Sequence, residues 1–405
     1  MNVLMISPGY PGEMAFFTRG LAAAGASVIG VGDQPVGSVP AIARAALTHY
    51  IPVGSLAAGE AVAATVRELA RQLRIDRVEC LWEPYMMLAA RLRQELDVPG
   101  LTVAQTVPFR DKEQMKQLID AAGLRTPRHE ATETVAGVWA AAERLGFPLI
   151  VKPIAGAGSA DTYRADSAAE LDAMLPMLRH VPRVSVEEFI DAEEFTYDTI
   201  CADGRVLFEN ICWYLPRPLL TKLHERISPI QVALRDLDAP DLKDGRALGA
   251  AVLQVLGFRD GFTHMEWYRM SDGEVVFGEI AARPPGGRMV DLMNFATDAD
   301  LFSAWAQAVT RGRISQPIER HYNAASIFKR AEGVGRISRY QGLDHLLAEY
   351  GEHVAAVELL PVGAPRRDWR AVSISDGMVI VRHSELSKTT EMAERFASHL
   401  HLYAE

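Results

Sequence analysis

Thr263-His264-Met265-Glu266-Trp267-Tyr268-Arg269-Met270 runs into Ser271-Asp272-Gly273-Glu274 and returns as Val275-Val276-Phe277-Gly278-Glu279-Ile280-Ala281-Ala282-Arg283. Two strand-like runs flank an Asp-Gly pair, the preferred two-residue type I′ turn of a β-hairpin. With Asp272 and Gly273 as the loop, Ser271 faces Glu274, and counting back sets Glu266 against Glu279. Like charges directly opposite on one sheet face repel, so the pairing calls for a cation between them. Two carboxylates a strand spacing apart suit magnesium, which completes its shell with water and substrate phosphates. A different register would leave both carboxylates merely solvated, and the hairpin alone does not choose between the two.

The chain of 405 residues exceeds one ordinary domain and points to two or three. An apolar content of 49% provides for a sizeable core. The net charge of −10, with no dense Lys/Arg stripe, argues against nucleic acid as a partner. It does not exclude an anionic nucleotide, which needs only a few focused donors. Cys80, Cys201 and Cys212 are odd in number and form no C-x-x-C pair, which fits a reducing compartment rather than a disulfide or zinc framework. The start lacks a basic flank and no apolar run reaches membrane length, so a soluble cytoplasmic protein without a membrane partner is expected.

Residues 1–105 alternate strands at 3–6, 27–31 and 78–82 with helices ending near Gly25, at 60–74 and at 84–96. That alternation means βαβ units and a parallel sheet. The Gly9-Tyr10-Pro11-Gly12 turn lacks G-x-G-x-x-G spacing and reads as a plain strand–helix connection. From Asp111 the pattern changes. Helices are expected at 112–122, stopped by Gly123, and at 136–145, stopped by Gly146. Strands follow at 147–153, 162–164 and 184–190, with Ser167 and Glu170 as a capping box between the last two. The proline-interrupted stretch 215–230 reads as a long active-site loop. Helices at 242–256 and 298–310 bracket the hairpin. The tail mixes strands at 371–374 and 378–382 with helices at 343–349 and 388–401.

Three further elements bear on chemistry. Gly156, Gly158 and Ser159 follow the strand that ends in Lys152, and small residues let backbone N–H groups approach phosphate oxygens. No Gly-Lys-Ser/Thr closes that loop, so it is not a Walker A motif. Lys152, closing an apolar strand, either snorkels to the surface or reaches a phosphate. Glu187-Glu188-Phe189-Ile190-Asp191-Ala192-Glu193-Glu194 is either a solvated acidic turn or an extended segment whose backbone edge pairs with adenine. In the second case Glu187 faces the exocyclic amine and Glu194 accepts the ribose hydroxyls.

Taken in order, these elements resemble the ATP-grasp superfamily, and within it the carboxylate–amine ligases that include L-amino-acid (dipeptide) ligases. The resemblance spans nearly the whole chain. It rests on Arg110-Asp111-Lys112 with Met115-Lys116, on 147–153, on Val186-Glu187-Glu188-Phe189-Ile190 with Glu194, and on His264-Met265-Glu266 with Glu279-Ile280-Ala281-Ala282-Arg283-Pro284. A tail with Asp376-Gly377-Met378-Val379-Ile380-Val381 completes it. The implied fold mixes α/β and α+β. An N-terminal parallel-sheet (pre-ATP-grasp) domain covers 1–105, and a two-part nucleotide clamp covers 106–320 with a mobile lid at about 125–190. A small C-terminal α+β subdomain covers 321–405.

By the resemblance, Lys112 and Lys152 hold ATP phosphates under a loop containing Gly156, Gly158 and Ser159. Glu187, Glu188, Phe189 and Ile190 read adenine, and Glu194 reads ribose. Glu266 and Glu279 hold Mg2+, with Mn2+ as an alternative. Lys152 and Arg283 are the implied catalytic cations, Arg283 meeting the phosphoryl group in flight. Arg288, past Pro284-Pro285-Gly286-Gly287, pairs with a substrate carboxylate or is a surface arginine. Many members carry Asn two residues after the second magnesium glutamate, where this chain has Ala281. Glu83 and Tyr85 are candidates for a substrate amine, and His264, Lys222, His224 and Arg226 are further candidates with structural roles as alternatives. The expected activity is ATP-dependent amide formation between an amino-acid carboxylate and an amine through an acyl phosphate, in a homodimer. An ATP-grasp carboxylase, a kinase-like phosphotransferase and a non-catalytic nucleotide module are the alternatives.

Overall fold

Four parallel strands build the N-terminal layer, in the order Leu47–Pro52, Ser27–Gly32, Asn2–Ile6 and Arg77–Glu79. The structure, a computed structural model, describes residues 1–156, 161–372 and 374–405. Leu47–Pro52 escapes the sequence pattern because polar residues interrupt this half-exposed edge strand and a proline closes it. Helix Met14–Ala23 ties the layer to the rest of the molecule. Its Phe17 ring meets Phe302 and Trp305 of helix Leu301–Arg311 edge-on at 4.8 and 5.2 Å.

A second sheet of four antiparallel strands runs His129–Thr132, Val184–Glu188, Leu149–Pro153 and Tyr163–Ala165. Leu149, Val151, Val184 and Val186 turn one face toward helices Val135–Leu145 and Ala168–Met174. Period-two alternation then turns Ile150, Lys152, Ser185 and Glu187 to the other face, with Ile150 directly across from Glu187.

The third sheet has nine strands. Its order is Val275–Ala281, Gly261–Arg269, Glu193–Ala202, Cys212–Leu215, Ile230–Ala233, Asn323–Phe328, Gly377–His383 and Val354–Leu359, with Arg205–Asn210 also pairing with Glu193–Ala202. Three strands of the 321–405 segment therefore belong to the same sheet as the opening hairpin. The strand expected at 371–374 is absent from the described residues. Ala371 and Val372 both donate to the Asp368 carbonyl in a turn, and the buried Asp376 carboxylate pins that loop by accepting from the Arg367 and Ala331 amides. The helix expected at 388–401 is Leu386–His399, and His401 opens a strand, His401–Ala404.

The hairpin pairs Glu266 with Glu279, as counted, but by a different route. Only Gly273 of the Asp-Gly pair has a positive φ, at +93°, so the turn is not type I′. Met270 donates to the Glu274 carbonyl (2.8 Å) and Gly273 to that of Met270 (3.0 Å), which is a longer loop than two residues. Arg269 then faces Val275, one residue out of the simple count. A β-bulge at Gly278 restores the count, because Trp267 faces Phe277 while Glu266 faces Glu279. The bulge also lets Phe277 and Ile280, three positions apart, enter one core with Met265 and Trp267. The true type I′ pair is Asp203-Gly204, at φ +53° and +75°, between Glu193–Ala202 and Arg205–Asn210.

Candidate active site

Asp111 caps helix Lys112–Ala121 by accepting from the Glu113 and Gln114 amides at 3.0 Å each. That cap starts the helix at Lys112 and puts Lys116 one turn on, on the same face. Both ammonium groups point at the two sheets. Lys112 Nζ donates to the Gly156 carbonyl (2.8 Å) and lies 3.4 Å from Glu279 Oε2. Lys116, wholly buried, pairs with Glu187. Lys152 Nζ reaches the other oxygen of Glu187 at 3.0 Å.

Glu187 thus sits between two lysines at the edge of the cleft. Burial alone would raise its pKa, but Lys116 and Lys152 outweigh burial and hold the carboxyl far below the usual range. Lys152 is pushed up to about 12, its own desolvation being outweighed by Glu187, Glu279 and Glu266. Desolvation wins at Lys116, which falls to about 8 despite Glu187.

One cleft between the second and third sheets collects Lys112, Lys152, Glu187 and Glu279. Of the residues named from sequence, Lys112, Lys152, Gly156, Glu187, Glu188, Phe189, Ile190, Glu194, Glu266 and Glu279 all line it. Gly158 and Ser159 lie outside the described residues. The Glu188 carboxylate turns away to Arg125 (3.1 Å) and Arg128 (3.2 Å). Arg217 also lines the cleft. Its Nη1 donates to the Ile190 carbonyl (2.6 Å), its Nε lies 3.4 Å from Glu194, and its guanidinium stacks on Phe189 and Tyr268 at 4.9 and 5.3 Å. Burial and the nearby Glu266 charge raise the Glu194 carboxyl well above the ordinary range.

Arg283 and Arg288 are not among the lining residues. Arg283 Nε holds Glu83 Oε2 at 2.7 Å, and Arg110 holds the other oxygen. Arg288 is engaged by Asp291 and by Glu358 (2.8 Å), and its amide donates to Glu13 Oε1 (2.6 Å). His264 Nδ1 donates to Asp198 Oδ1 at 2.7 Å, and its Nε2 lies 3.7 Å from Glu266 Oε1. Burial disfavours charge on this imidazole, but Asp198 and Glu266 prevail and lift it to about 9.

Lys116, Arg217 and Asp198 went unassigned in the sequence reading. Lys116 stands four residues after Lys112, a spacing that places both on one helix face. Arg217 lies in the proline-rich stretch 215–230, where helix Pro218–Leu223 takes the place of part of the expected long loop because Pro218 supplies a preset first helical residue. Asp198 belongs to strand Glu193–Ala202, whose β-branched and aromatic run ahead of Asp203-Gly204 was the overlooked signal.

Glu266 and Glu279 fit a divalent cation of the magnesium kind. They are cross-strand partners, partly exposed in the cleft, and Glu279 is held well below the usual carboxylate range because Lys112, Lys152 and Lys116 overcome its desolvation. Among the described residues no group of three or more His, Cys, Asp and Glu side chains forms a metal cage. Two carboxylates with room for water and phosphate are the usual magnesium arrangement. The three cysteines are buried and free. Among the described residues no helix is long and apolar enough to cross a membrane.

No family model matches the chain. An L-arginine-specific L-amino acid ligase of Bacillus subtilis is 28% identical over 226 residues, 53% of this chain and 54% of that protein. The chain thus spans about half the length of that relative. A formate-dependent phosphoribosylglycinamide formyltransferase of Nitratidesulfovibrio vulgaris is 25% identical over 88% of both chains. Among solved structures, an L-amino acid ligase from Bacillus licheniformis superposes with a TM-score of 0.79 at 21% identity, covering 100% of this chain and 98% of that one. The architecture is the ATP-grasp fold, and over parts of its length the chain is similar to ligases.

Proposed function

We propose that the chain is an ATP-dependent ligase that joins a small-molecule carboxylate, an amino acid, to an amine. The observation that carries this reading is the facing pair Glu266 and Glu279 in the same cleft as Lys112 and Lys152. Such a set, with a divalent cation on the two carboxylates, would neutralise a triphosphate. In the first step a carboxylate oxygen attacks the γ-phosphorus and the bond to ADP breaks, leaving an acyl phosphate. In the second, the amine nitrogen attacks the acyl carbon, loses a proton and expels phosphate. Positioning and charge neutralisation dominate phosphoryl transfer, so the cleft needs cations and no nucleophile of its own.

Lys112 and Lys152 hold the phosphates. Glu187 keeps Lys152 charged and aimed, and Arg217, Phe189 and Glu194 frame the nucleoside end. Mg2+ or Mn2+ held by Glu266 and Glu279 would supply charge neutralisation at the transferred phosphoryl group. For Arg283 to meet that group it must give up Glu83, and Arg288 must likewise exchange Asp291 and Glu358 before it holds a substrate carboxylate. The same reading carries a cytoplasmic homodimer, which light scattering on the purified chain checks.

The test is phosphate release from Mg·ATP across a matrix of amino acids and amines, with product masses read. Release that depends on an acid–amine pair and a product lighter than its two substrates by one water support the ligase. Release independent of any pair removes it. Formate belongs in the matrix, because the relative aligned along 88% of both chains bears a formate-dependent name and favours formate as a second candidate acid. Glu279→Ala should abolish turnover and leave the circular dichroism spectrum unchanged. Near-normal turnover in that variant would remove the metal assignment.

A further inference from the structure

The two cleft carboxylates are held by different devices. Glu279 is fixed from the helix side by Lys112 at 3.4 Å. Glu266 is approached from within the sheet. On the cleft face of Glu193–Ala202, Glu194, Thr196 and Asp198 alternate, and the neighbouring strand sets Tyr268, Glu266 and His264 directly opposite them. Asp198 is fully buried, yet each of its oxygens is satisfied. Oδ1 accepts from His264 Nδ1 at 2.7 Å, and Oδ2 accepts from Thr196 Oγ1 at 2.7 Å and Asn210 Nδ2 at 3.2 Å. Thr196 Oγ1 accepts in turn from the Cys212 amide at 3.2 Å. A buried carboxylate with this many donors has one low-energy orientation. It therefore fixes the imidazole plane, and that plane aims Nε2 at Glu266 Oε1, 3.7 Å away. On the other flank His264 faces Ala281, whose small side chain leaves the ring its place.

We propose that Asp198 is a positioning residue that acts through His264 to set Glu266 for a divalent cation. The proposal rests on the ligase reading only for the role of Glu266 as a metal ligand. Partners that orient a ligand in this way are typically worth about 10–100-fold in metal affinity.

The experiment measures Mn2+ binding to the full chain with ADP present, reading free Mn2+ by electron paramagnetic resonance. Asp198→Asn and His264→Gln should each weaken Mn2+ by about tenfold or more. The double variant should be no weaker than His264→Gln alone, because Asp198 has no effect once the imidazole is gone. Unchanged or tighter binding in His264→Gln, or additive losses in the double variant, overturns the proposal. Should Asp198→Asn fail to fold by circular dichroism, His264→Gln alone decides. Glu266→Gln is the control. If it binds Mn2+ like the parent, the metal reading of Glu266 falls and this proposal falls with it. If it loses Mn2+ while Asp198→Asn and His264→Gln do not, only the proposal falls.

Discussion

Replacing Gly278 with alanine puts a methyl group where the facing strand already stands. An ideal Cβ at Gly278 would lie 2.8 Å from the Glu266 carbonyl oxygen and 3.2 Å from both its carbon and Tyr268 Cε2. Carbon–oxygen contacts settle at about 3.3–3.6 Å, so the strands must part by roughly 0.5 Å at the residue that pairs with Glu279. Overpacking of this kind costs about 1–3 kcal/mol of stability. A reacting group misplaced by about 1 Å loses on the order of 10² in rate, so half that shift lowers kcat by roughly tenfold. The assay is phosphate release as a function of Mg2+, with urea unfolding alongside, and the expected result is a lower kcat at a higher Mg2+ requirement. Gly273→Ala is the comparison, since Gly273 has φ +93° and open space around its Cβ at the hairpin tip. That variant pays about 1–2 kcal/mol for its backbone conformation and keeps the Mg2+ dependence of the parent. Parental kcat and Mg2+ dependence in Gly278→Ala, or the same change in both variants, would refute the bulge as the device that sets the carboxylates.

Two further outcomes follow from the charges around the cleft. Glu187→Gln strands the buried Lys116 and should destabilise by about 3–5 kcal/mol in urea unfolding. The folded carboxyl lies below its unfolded value of 4.5, so its stabilisation is complete above pH 4.5 and fades as pH falls toward the folded value. The parent should therefore lose urea resistance below pH 4.5 more steeply than Glu187→Gln, and parallel pH profiles would contradict the ion triad. Arg217→Ala removes a charge-assisted bond to the Ile190 carbonyl and the stack on Phe189, so the KM for ATP should rise about tenfold while kcat changes less. An unchanged KM would move the nucleoside end of the cleft elsewhere.

Much of this arrangement is readable before any coordinates. Helix Lys112–Ala121 follows from its Asp111 cap, and strand Leu149–Pro153 from its apolar run ending in lysine. The glutamate pair follows from a hairpin count. That count reached the right partners through two departures that cancel, a longer turn and a bulge, because Gly278 was read as an ordinary strand residue. Strand Glu193–Ala202 is absent from the sequence reading although it is the most buried of the cleft strands, since its Glu193-Glu194 start closes an acidic run that reads equally as a turn or an extended segment. With it went Asp198, whose role exists only across strands.

Sequence by itself determined most of the helices and strands, singled out Lys112, Lys152, Glu266 and Glu279, which line the cleft, and suggested the likeness to ATP-grasp proteins. Those properties are local: caps, periodicity and turn chemistry act over a few residues. Which charges pair was decided only by tertiary structure. Glu187 belongs to Lys116 and Lys152, residues 71 and 35 positions away, because helix and sheet meet face to face. Arg283 belongs to Glu83, 200 positions distant, because the N-terminal layer closes one side of the molecule. Coulomb energy depends on distance and burial, and separation along the chain specifies neither.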